Sequence, residues 1–480
     1  MSTKVDYNEE VLSQAQTRRA TVEFINIVND LWYDKSIELV LFRNPLVDKR
    51  ASEVLNLIAY AKEFVSKPIS IQDALDIAKA IQQLDLPSSK LDIGKLAYEC
   101  YLNSKNSGDK VAFVQQKLKN ATAAKDIRPK DVVLYGFGRI GRLLARELMV
   151  KMGKGSQLRL RAIVTRGEIN YTVLEKRASL LSIDSVHGDF LGTVEIDAEN
   201  NALIINGTTV HMISANNPED INYTKYGIKD ALVIDNTGAF RDKEALSRHL
   251  KGEGVAKVLI TAPAKGVANI VHGVNHKQHN PDKVDIFSAA SCTTNAITPI
   301  LKVLEDNYGI KKGHLETIHA YTNDQNIVDN MHSKYRRGRA AALNMVITET
   351  GAGAAVAKAI PALEGKLTSN AIRVPVPNGS LAILSLQLHT KVTKERVNSL
   401  IKKYALEGDL VEQIKYSMDN ELVSSDIIGI TAPSIFDSKA TIADEETIVI
   451  YVWYDNEYGY SHQVIRLAKH IAKVRRFTYY

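Results

Sequence analysis

The sequence predicts an α/β protein, a doubly wound parallel sheet preceded by an all-α N-terminal module, and three observations predict it. Residues 1–127 carry apolar side chains at helical three- and four-residue spacing with no strand signature. At Ile127-Arg128-Pro129-Lys130 that pattern stops, because a proline among charged neighbours ends helices and begins extended chain. Beyond it, short β-prone runs alternate with helix-like runs, starting from Asp131-Val132-Val133-Leu134-Tyr135.

Five or six helices are expected in the N-terminal module. One runs from Val11 to Trp32 and another from Ala51 to Val65. A third starts at Ser70, where Asp73 three residues on makes a capping-box-like start. Two more, near Ser89–Ser104 and Asp109–Ala124, flank the turn-forming run Asn103–Gly108. Residues 122–130 are the expected linker. The module holds 17 basic and 17 acidic residues, so the formal charge of +6 lies wholly beyond it.

A chain of 480 residues, 45% hydrophobic and 24% charged, can bury two or three domain cores. Its basic residues are scattered rather than set in a stripe with aromatics, which suits small anionic ligands and argues against nucleic acid. No apolar run approaches the roughly 20 residues of a membrane span, and the first residues are unsuited to secretion. Two cysteines, Cys100 and Cys292, make no disulfide framework, so a cytoplasmic location is expected.

Gly136-Phe137-Gly138-Arg139-Ile140-Gly141 follows the first β-run directly and opens a helix. In that context the glycines permit a tight turn and close backbone approach, so a dinucleotide pyrophosphate can lie on the helix N-terminus of a Rossmann-type fold. The next β-run, Leu158–Val164, leads to Thr165-Arg166-Gly167. An acidic residue there would accept from the ribose 2′-hydroxyl, whereas Arg166 can pair with a 2′-phosphate. NADP tolerance or preference is the expectation.

Cys292 sits in Ser291-Cys292-Thr293-Thr294-Asn295 at a helix start, where the dipole favours thiolate. Downstream, His319 opens the run His319–Gln325 after a β-like segment. A thiolate can add to an aldehyde, and the hemithioacetal needs a base for its hydroxyl proton and a hydride acceptor at its carbon. His319 supplies the base and, as imidazolium, stabilises the thiolate.

With Asp184–Gly188, Asn236–Gly238, Thr261–Pro263, Gly273–His276, Arg336–Ala341, Arg373–Asn378 and Trp453–Tyr460, these motifs make residues 131–474 resemble a phosphorylating glyceraldehyde-3-phosphate dehydrogenase. The resemblance implies oxidation of glyceraldehyde 3-phosphate with inorganic phosphate to 1,3-bisphosphoglycerate, NAD or NADP as cofactor, no metal, and a homotetramer. It implies a cofactor domain over 128–290, rejoined by 455–480, and an α+β catalytic domain over 291–454. Ser291, Thr350, Gly351 and Arg337, with Thr293 beside them, resemble the pocket for the attacking phosphate. Thr322, Asp324 and Arg373 resemble the pocket for the substrate's own phosphate. Asn456 resembles the holder of the nicotinamide carboxamide, with Tyr460 and Asn323 close by, and Thr237, Gly238 and Thr261 resemble cofactor contacts.

The chain departs from the family at Arg166, at Ala296 in place of a second cysteine, and at Gly379, which should loosen packing or admit a neighbour closely. An erythrose-4-phosphate dehydrogenase would use the same Cys and His, but Thr322 argues against it. A regulatory protein with a dehydrogenase fold is the other alternative, against which stand Cys292 and His319. The helical module either contacts another subunit or a partner protein, or merely packs on the rest.

Overall fold

The computed structural model describes residues 6–61, 68–102, 109–121 and 127–480. The expected turn at 103–108, the end of the helix expected to reach Val65, and most of the expected linker lie outside the described residues. Contacts divide the chain into two compact units. One comprises Met1–Arg128, Gly153–Ser156 and Arg475–Tyr480, the other Pro129–Met152 and Gln157–Val474. The last six residues, expected to rejoin the cofactor domain, therefore belong with the N-terminal unit.

Helices dominate the first unit: α1 (Tyr7–Lys35), α2 (Ala51–Tyr60), α3 (Ile71–Gln82), α4 (Ile93–Leu102) and α5 (Lys110–Lys117). At Ser70 both halves of the expected box form, with Asp73 N–H donating to Ser70 Oγ (3.1 Å) and Ser70 N–H to Asp73 (2.8 Å). Phe24, Val28, Leu31, Leu75, Ile81 and Leu96 make the core, and Cys100 is buried with them. The unit also carries strands that the helical periodicity does not reveal: β1 (Glu38–Leu41), β2 (Asn44–Pro45) and β3 (Ser89–Asp92). Residues 89–92, expected to be helical, pair in parallel with β1 on one side and with Phe477–Tyr479 on the other. Long-range pairing overrides the local pattern there, and the helix begins only at Ile93.

The turn after β1 is strained. Phe42 and Arg43 have φ of 42° and 70°, in the left-handed region. Both donate N–H groups to the fully buried Asp92 carboxylate (2.9 and 3.0 Å), which also accepts from Lys95 N–H (3.1 Å).

The second unit holds two large sheets. The first draws on β4 (Lys130–Tyr135), β5 (Leu158–Thr165), β8 (Val194–Asp197), β9 (Ala202–Ile205), β10 (Thr208–Ser214), β11 (Ala231–Asp235), β12 (Val255–Ile260) and β13 (Ile286–Ser288), while β6 (Ile183–Asp184) and β7 (Gly188–Asp189) form a separate ribbon. Its order is β13-β12-β11-β4-β5-β10-β9-β8, parallel through β10 and antiparallel at the last two strands. The chain runs outward from β4 on both sides, which creates a topological switch point at the C-terminal ends of β4 and β11. Helix α6 (Arg139–Val150) leaves β4 there, followed in the chain by α7 (Tyr171–Ser182) and α8 (Lys243–Ser247).

After β13 come α9 (Cys292–Tyr308), β14 (Ile310–Ala320), β15 (Val346–Thr348), α10 (Ala352–Ala359), β16 (Leu367–Val374), β17 (Ser380–Leu388), α11 (Lys394–Leu406), β18 (Ile414–Ser417), β19 (Ser434–Asp437), β20 (Ile442–Asp444), β21 (Thr447–Tyr454) and α12 (Tyr458–Ile471). The second sheet is mixed, in the order β15-β16-β14-β17-β21-β19-β18, and α9 lies on it through Ile297, Ile300 and Leu304. Gly379, with φ of 88°, takes the second expected course: a Cβ there would lie 2.6 Å from Ser424 O, so only glycine admits that strand of backbone. Among the described residues no helix is long and apolar enough to cross a membrane.

Candidate active site

The chain turns from β13 into α9 over three residues, Ala289–Ser291, and that turn is held from several sides. Ala290 has φ of 56°, costly for a residue with a Cβ. Tyr460 Oη donates to its carbonyl (2.8 Å), and its N–H donates to Ser288 Oγ (3.1 Å). Asn295 Nδ2 donates to Ala289 O and Ser291 O (2.7 and 2.9 Å). Ser291 caps the helix, accepting from Thr294 N–H. Cys292 is thus the first residue of α9, half-buried beside unsatisfied helix N–H groups.

His319, the last residue but one of β14, is 6% exposed, and its Nε2 lies 3.5 Å from Cys292 Sγ. In the parallel pairing of β14 with β16, Arg373 is the register partner of His319. Its guanidinium lies 2.6 Å from His319 Nδ1 and donates to Ala320 O (2.9 Å). Burial pushes the Cys292 thiol up, against the opposing charge of Arg373. Burial, and next Arg373, push His319 down to about 3. As arranged, the pair is thiol and neutral imidazole rather than the expected thiolate and imidazolium: desolvation outweighs the helix dipole, which contributes about a kcal/mol. An unprotonated imidazole at this distance can accept the thiol proton.

Tyr454, which the sequence reading missed, lies beneath the pair. Its hydroxyl contacts Thr293 Oγ1 (3.0 Å) and Thr317 Oγ1 (2.7 Å), and its ring stands edge-on to His319. Thr293 is therefore buried in this network. Asp455 was missed as well. It accepts from Asn378 Nδ2, Glu457 N–H, Tyr458 N–H and Gly429 N–H, which fixes the start of α12 and so the place of Asn456. Ser380 Oγ donates to Asn456 Oδ1 (2.7 Å), leaving the Asn456 amide N–H groups as donors. The only local signal for Asp455 was an acidic residue just ahead of a helix start.

The expected cofactor residues gather at the C-terminal edge of the parallel sheet. Gly136 follows β4, Arg166 follows β5, Thr237 and Gly238 follow β11, and Thr261 follows β12. The loop glycines fit their roles one by one. A Cβ on Gly141 would lie 2.5 Å from Gly136 O, one on Gly136 would press Thr237, and one on Gly138, the N-cap of α6, would meet nothing within 4 Å. That open face beside a helix N-terminus can receive a pyrophosphate. Phe137 is buried and Ile140 half-buried beneath the loop. The Arg139 side chain is engaged elsewhere, on Asp184 (3.0 and 3.1 Å) and Glu457, which leaves its main chain for the ligand side. Thr237 donates twice to Asp235, and Thr261 Oγ1 donates to Asp235 O. Arg166 is exposed.

The two expected phosphate pockets meet. Arg337, 7% exposed, donates to Thr348 Oγ1 (3.1 and 3.0 Å) and forms an ion pair with Asp324, assigned to the other pocket. Thr350 and Gly351 lie at the N-terminus of α10 in an open depression of about 680 Å³, which Arg336 also lines. Thr322 is half-buried, and Asn323 is exposed.

A dinucleotide crevice joined to a cysteine–histidine pair defines an oxidoreductase that binds NAD(P) and acts on an aldehyde. Residues 130–243 match the glyceraldehyde 3-phosphate dehydrogenase NAD binding domain, and residues 291–456 match the C-terminal domain of the same family. The chain is 47% identical over 459 residues, 94% of its length and 98% of the relative's, to a glyceraldehyde-3-phosphate dehydrogenase-like protein of Pseudomonas aeruginosa (strain UCBPP-PA14). It is 42% identical over 338 residues to the glyceraldehyde-3-phosphate dehydrogenase of Streptomyces coelicolor, and 41% over 344 residues to glyceraldehyde-3-phosphate dehydrogenase 1 of Bacillus subtilis. These two matches take 70% and 71% of this chain but 96% and 98% of the relatives. The chain belongs to the glyceraldehyde-3-phosphate dehydrogenase family, with a stretch about the size of its N-terminal unit left over from the shorter relatives.

Proposed function

We propose that the chain is a phosphorylating glyceraldehyde-3-phosphate dehydrogenase that reversibly oxidises D-glyceraldehyde 3-phosphate, with inorganic phosphate, to 1,3-bisphosphoglycerate. The observation that carries the reading is Cys292 Sγ at 3.5 Å from a neutral, buried His319, at a helix N-terminus and beside Arg373. Cys292 Sγ attacks the aldehyde carbon as its proton passes to His319 Nε2, giving a hemithioacetal. His319 lends that proton to the new oxygen and retrieves it as the carbon is oxidised to the thioester. A bound nicotinamide supplies the hydride acceptor. Asn456, its amide N–H groups free to donate, orients the ring, and Gly136–Gly141 holds the pyrophosphate. His319 then releases the proton to solvent. Inorganic phosphate, held by Arg337, Ser291, Thr350 and Gly351, attacks the thioester carbonyl and expels the Cys292 thiolate. Arg373, Thr322 and Asp324 serve the substrate's own phosphate.

Arg166 past the end of β5 supports use of NADP as well as NAD. Exposed apolar side chains along residues 327–347, among them Met331, Tyr335 and Met345, support assembly with further copies, for which a homotetramer is the reading. The two unpaired cysteines support a cytoplasmic enzyme. The test is an initial-rate assay with glyceraldehyde 3-phosphate in the presence and absence of inorganic phosphate. Phosphate-dependent turnover with acyl phosphate as product is the expected result; a rate indifferent to phosphate would favour the erythrose-4-phosphate type of activity.

A further inference from the structure

The crossover from β11 to β12 folds back on the strand it leaves. It passes through α8 into the short helical turn Arg248–Lys251, where His249 is 1% exposed. His249 Nε2 lies 3.0 Å from Oδ2 of Asp235, the last residue of β11, which is fully buried. A carboxylate oxygen can only accept, so the imidazole donates. The ring itself is wedged edge-on to Tyr135 and Phe240. The other oxygens of Asp235 are committed as well. Oδ1 accepts from Thr237 N–H and Thr237 Oγ1 (2.8 and 2.7 Å), and the main-chain oxygen accepts from Thr261 N–H and Thr261 Oγ1 (3.0 and 3.1 Å). Thr237 in turn abuts the first loop glycine, since a Cβ on Gly136 would come 3.0 Å from Thr237 Cγ2. One buried residue thus ties together the threonines just past β11 and β12 and the mouth of the glycine loop.

A carboxylate without exposure persists only while its oxygens are paired. Deprived of the imidazole, Asp235 must turn toward another donor or take up a proton, and either change loosens its hold on Thr237. We propose that His249 is a positioning residue of the dinucleotide site: through Asp235 it sets Thr237 and Thr261 at the edge of the crevice and so sets the affinity for NAD(P). Buried as it is, the ring cannot reach a ligand itself. The inference rests on the reading of those threonines as cofactor contacts. A purely structural role for His249 predicts lost stability alone. A positioning role predicts lost cofactor affinity in folded protein, repaired by any side chain that restores the one donor. Nε2 is the atom to restore, because His249 Nδ1 has no partner among the described residues.

Fluorescence titration of NADPH and NADH into full-length variants tests this. His249→Phe keeps the bulk and the aromatic contacts but donates nothing, and it should raise both Kd values by about tenfold or more, the worth of a hydrogen bond to a charged group. His249→Gln places an amide where Nε2 stood and should bind like the parent. His249→Asn, whose amide reaches only as far as Nδ1, should bind as weakly as the Phe variant and replaces it if that one does not fold. In all three, kcat at saturating cofactor and KM for glyceraldehyde 3-phosphate should stay at the parent's values. Gly138→Val is the control for the crevice, since a Cβ there meets no protein atom within 4 Å and the side chain would fill the open face. It should abolish binding. Unchanged binding in Gly138→Val would overturn the site and this inference with it. Binding lost there but unchanged in His249→Phe and His249→Asn would overturn the role of His249 alone. Equal loss in His249→Gln and His249→Phe would assign the effect to the shape of the ring and overturn it too.

Discussion

Two strained turns, one in each unit, end differently. In the N-terminal unit, Phe42 and Arg43 adopt left-handed backbone, and their N–H groups converge on the Asp92 carboxylate, which also takes Lys95 N–H. The donors and their acceptor satisfy one another, and no reactive side chain is presented. In the second unit, Ala290 is held in the same region by Tyr460 and Ser288, but the strain is followed by a helix start whose N–H groups and thiol stay available. Strain serves chemistry where the backbone is fixed from behind and an unsatisfied group is left in front. Where every group is satisfied, it serves the fold.

The sharpest test of that contrast changes one residue in each turn. Cys292→Ser should lower turnover by more than about 1000-fold, because the hydroxyl is a far weaker nucleophile than the thiol. Its melting temperature and its affinity for the dinucleotide should stay close to the parent's. Asp92→Ala should do the reverse, costing about 3 kcal/mol of stability by orphaning one buried and two part-buried N–H groups, read as a loss in denaturant midpoint, with turnover of the folded fraction unchanged. A folded Asp92→Ala protein with severely reduced turnover would break the comparison.

The same contrast explains what could be read in advance. The cap at Ser70 and the glycine loop at 136–141 were legible because their geometry is local: residues within one turn satisfy each other. Residues 89–92 were not, since their partners are Glu38–Val40 and Phe477–Tyr479, and four residues leave no room for a periodicity. The Cys292–His319 pair was legible through its motifs, but the protonation state was not. That state depends first on burial and, for His319, next on Arg373, which arrives through strand register 54 residues away. Tyr454 stands in the Trp453–Tyr460 motif with no role assigned to it there, and only the packing reveals its hydroxyl between Thr293 and Thr317.

Arg373 offers an intermediate effect within the active turn's surroundings. Burial first, and then its positive charge at Nδ1, hold His319 far below the usual 6.5, so the imidazole stays unprotonated through the neutral range. Arg373→Leu removes the charge and should let the His319 pKa rise, moving the acid limb of the kcat profile to higher pH. With glyceraldehyde 3-phosphate, KM should also rise about 100-fold, the contribution of a charge-assisted phosphate contact. A non-phosphorylated aldehyde separates the two effects: KM should hardly respond, while the pH limb should still move. An unmoved limb would mean that the contact positions His319 without tuning it.

The smallest expected change is at Arg166, a surface residue proposed to set the cofactor preference without taking part in the chemistry. It is exposed at the C-terminal end of β5, free to meet an adenosine ribose that lies across the switch point. A guanidinium there can pair with a 2′-phosphate, and a carboxylate would instead accept from a 2′-hydroxyl and repel the phosphate. Arg166→Asp should therefore lower kcat/KM with NADP and raise it with NAD, each by about tenfold, the worth of one partly solvated charge contact. Turnover at saturating cofactor should be preserved, because Cys292 and His319 are untouched. High salt should shrink the parent's NADP advantage through screening. Equal cofactor ratios in parent and variant would place the ribose away from this strand end, and the preference would then have to arise elsewhere along the C-terminal edge.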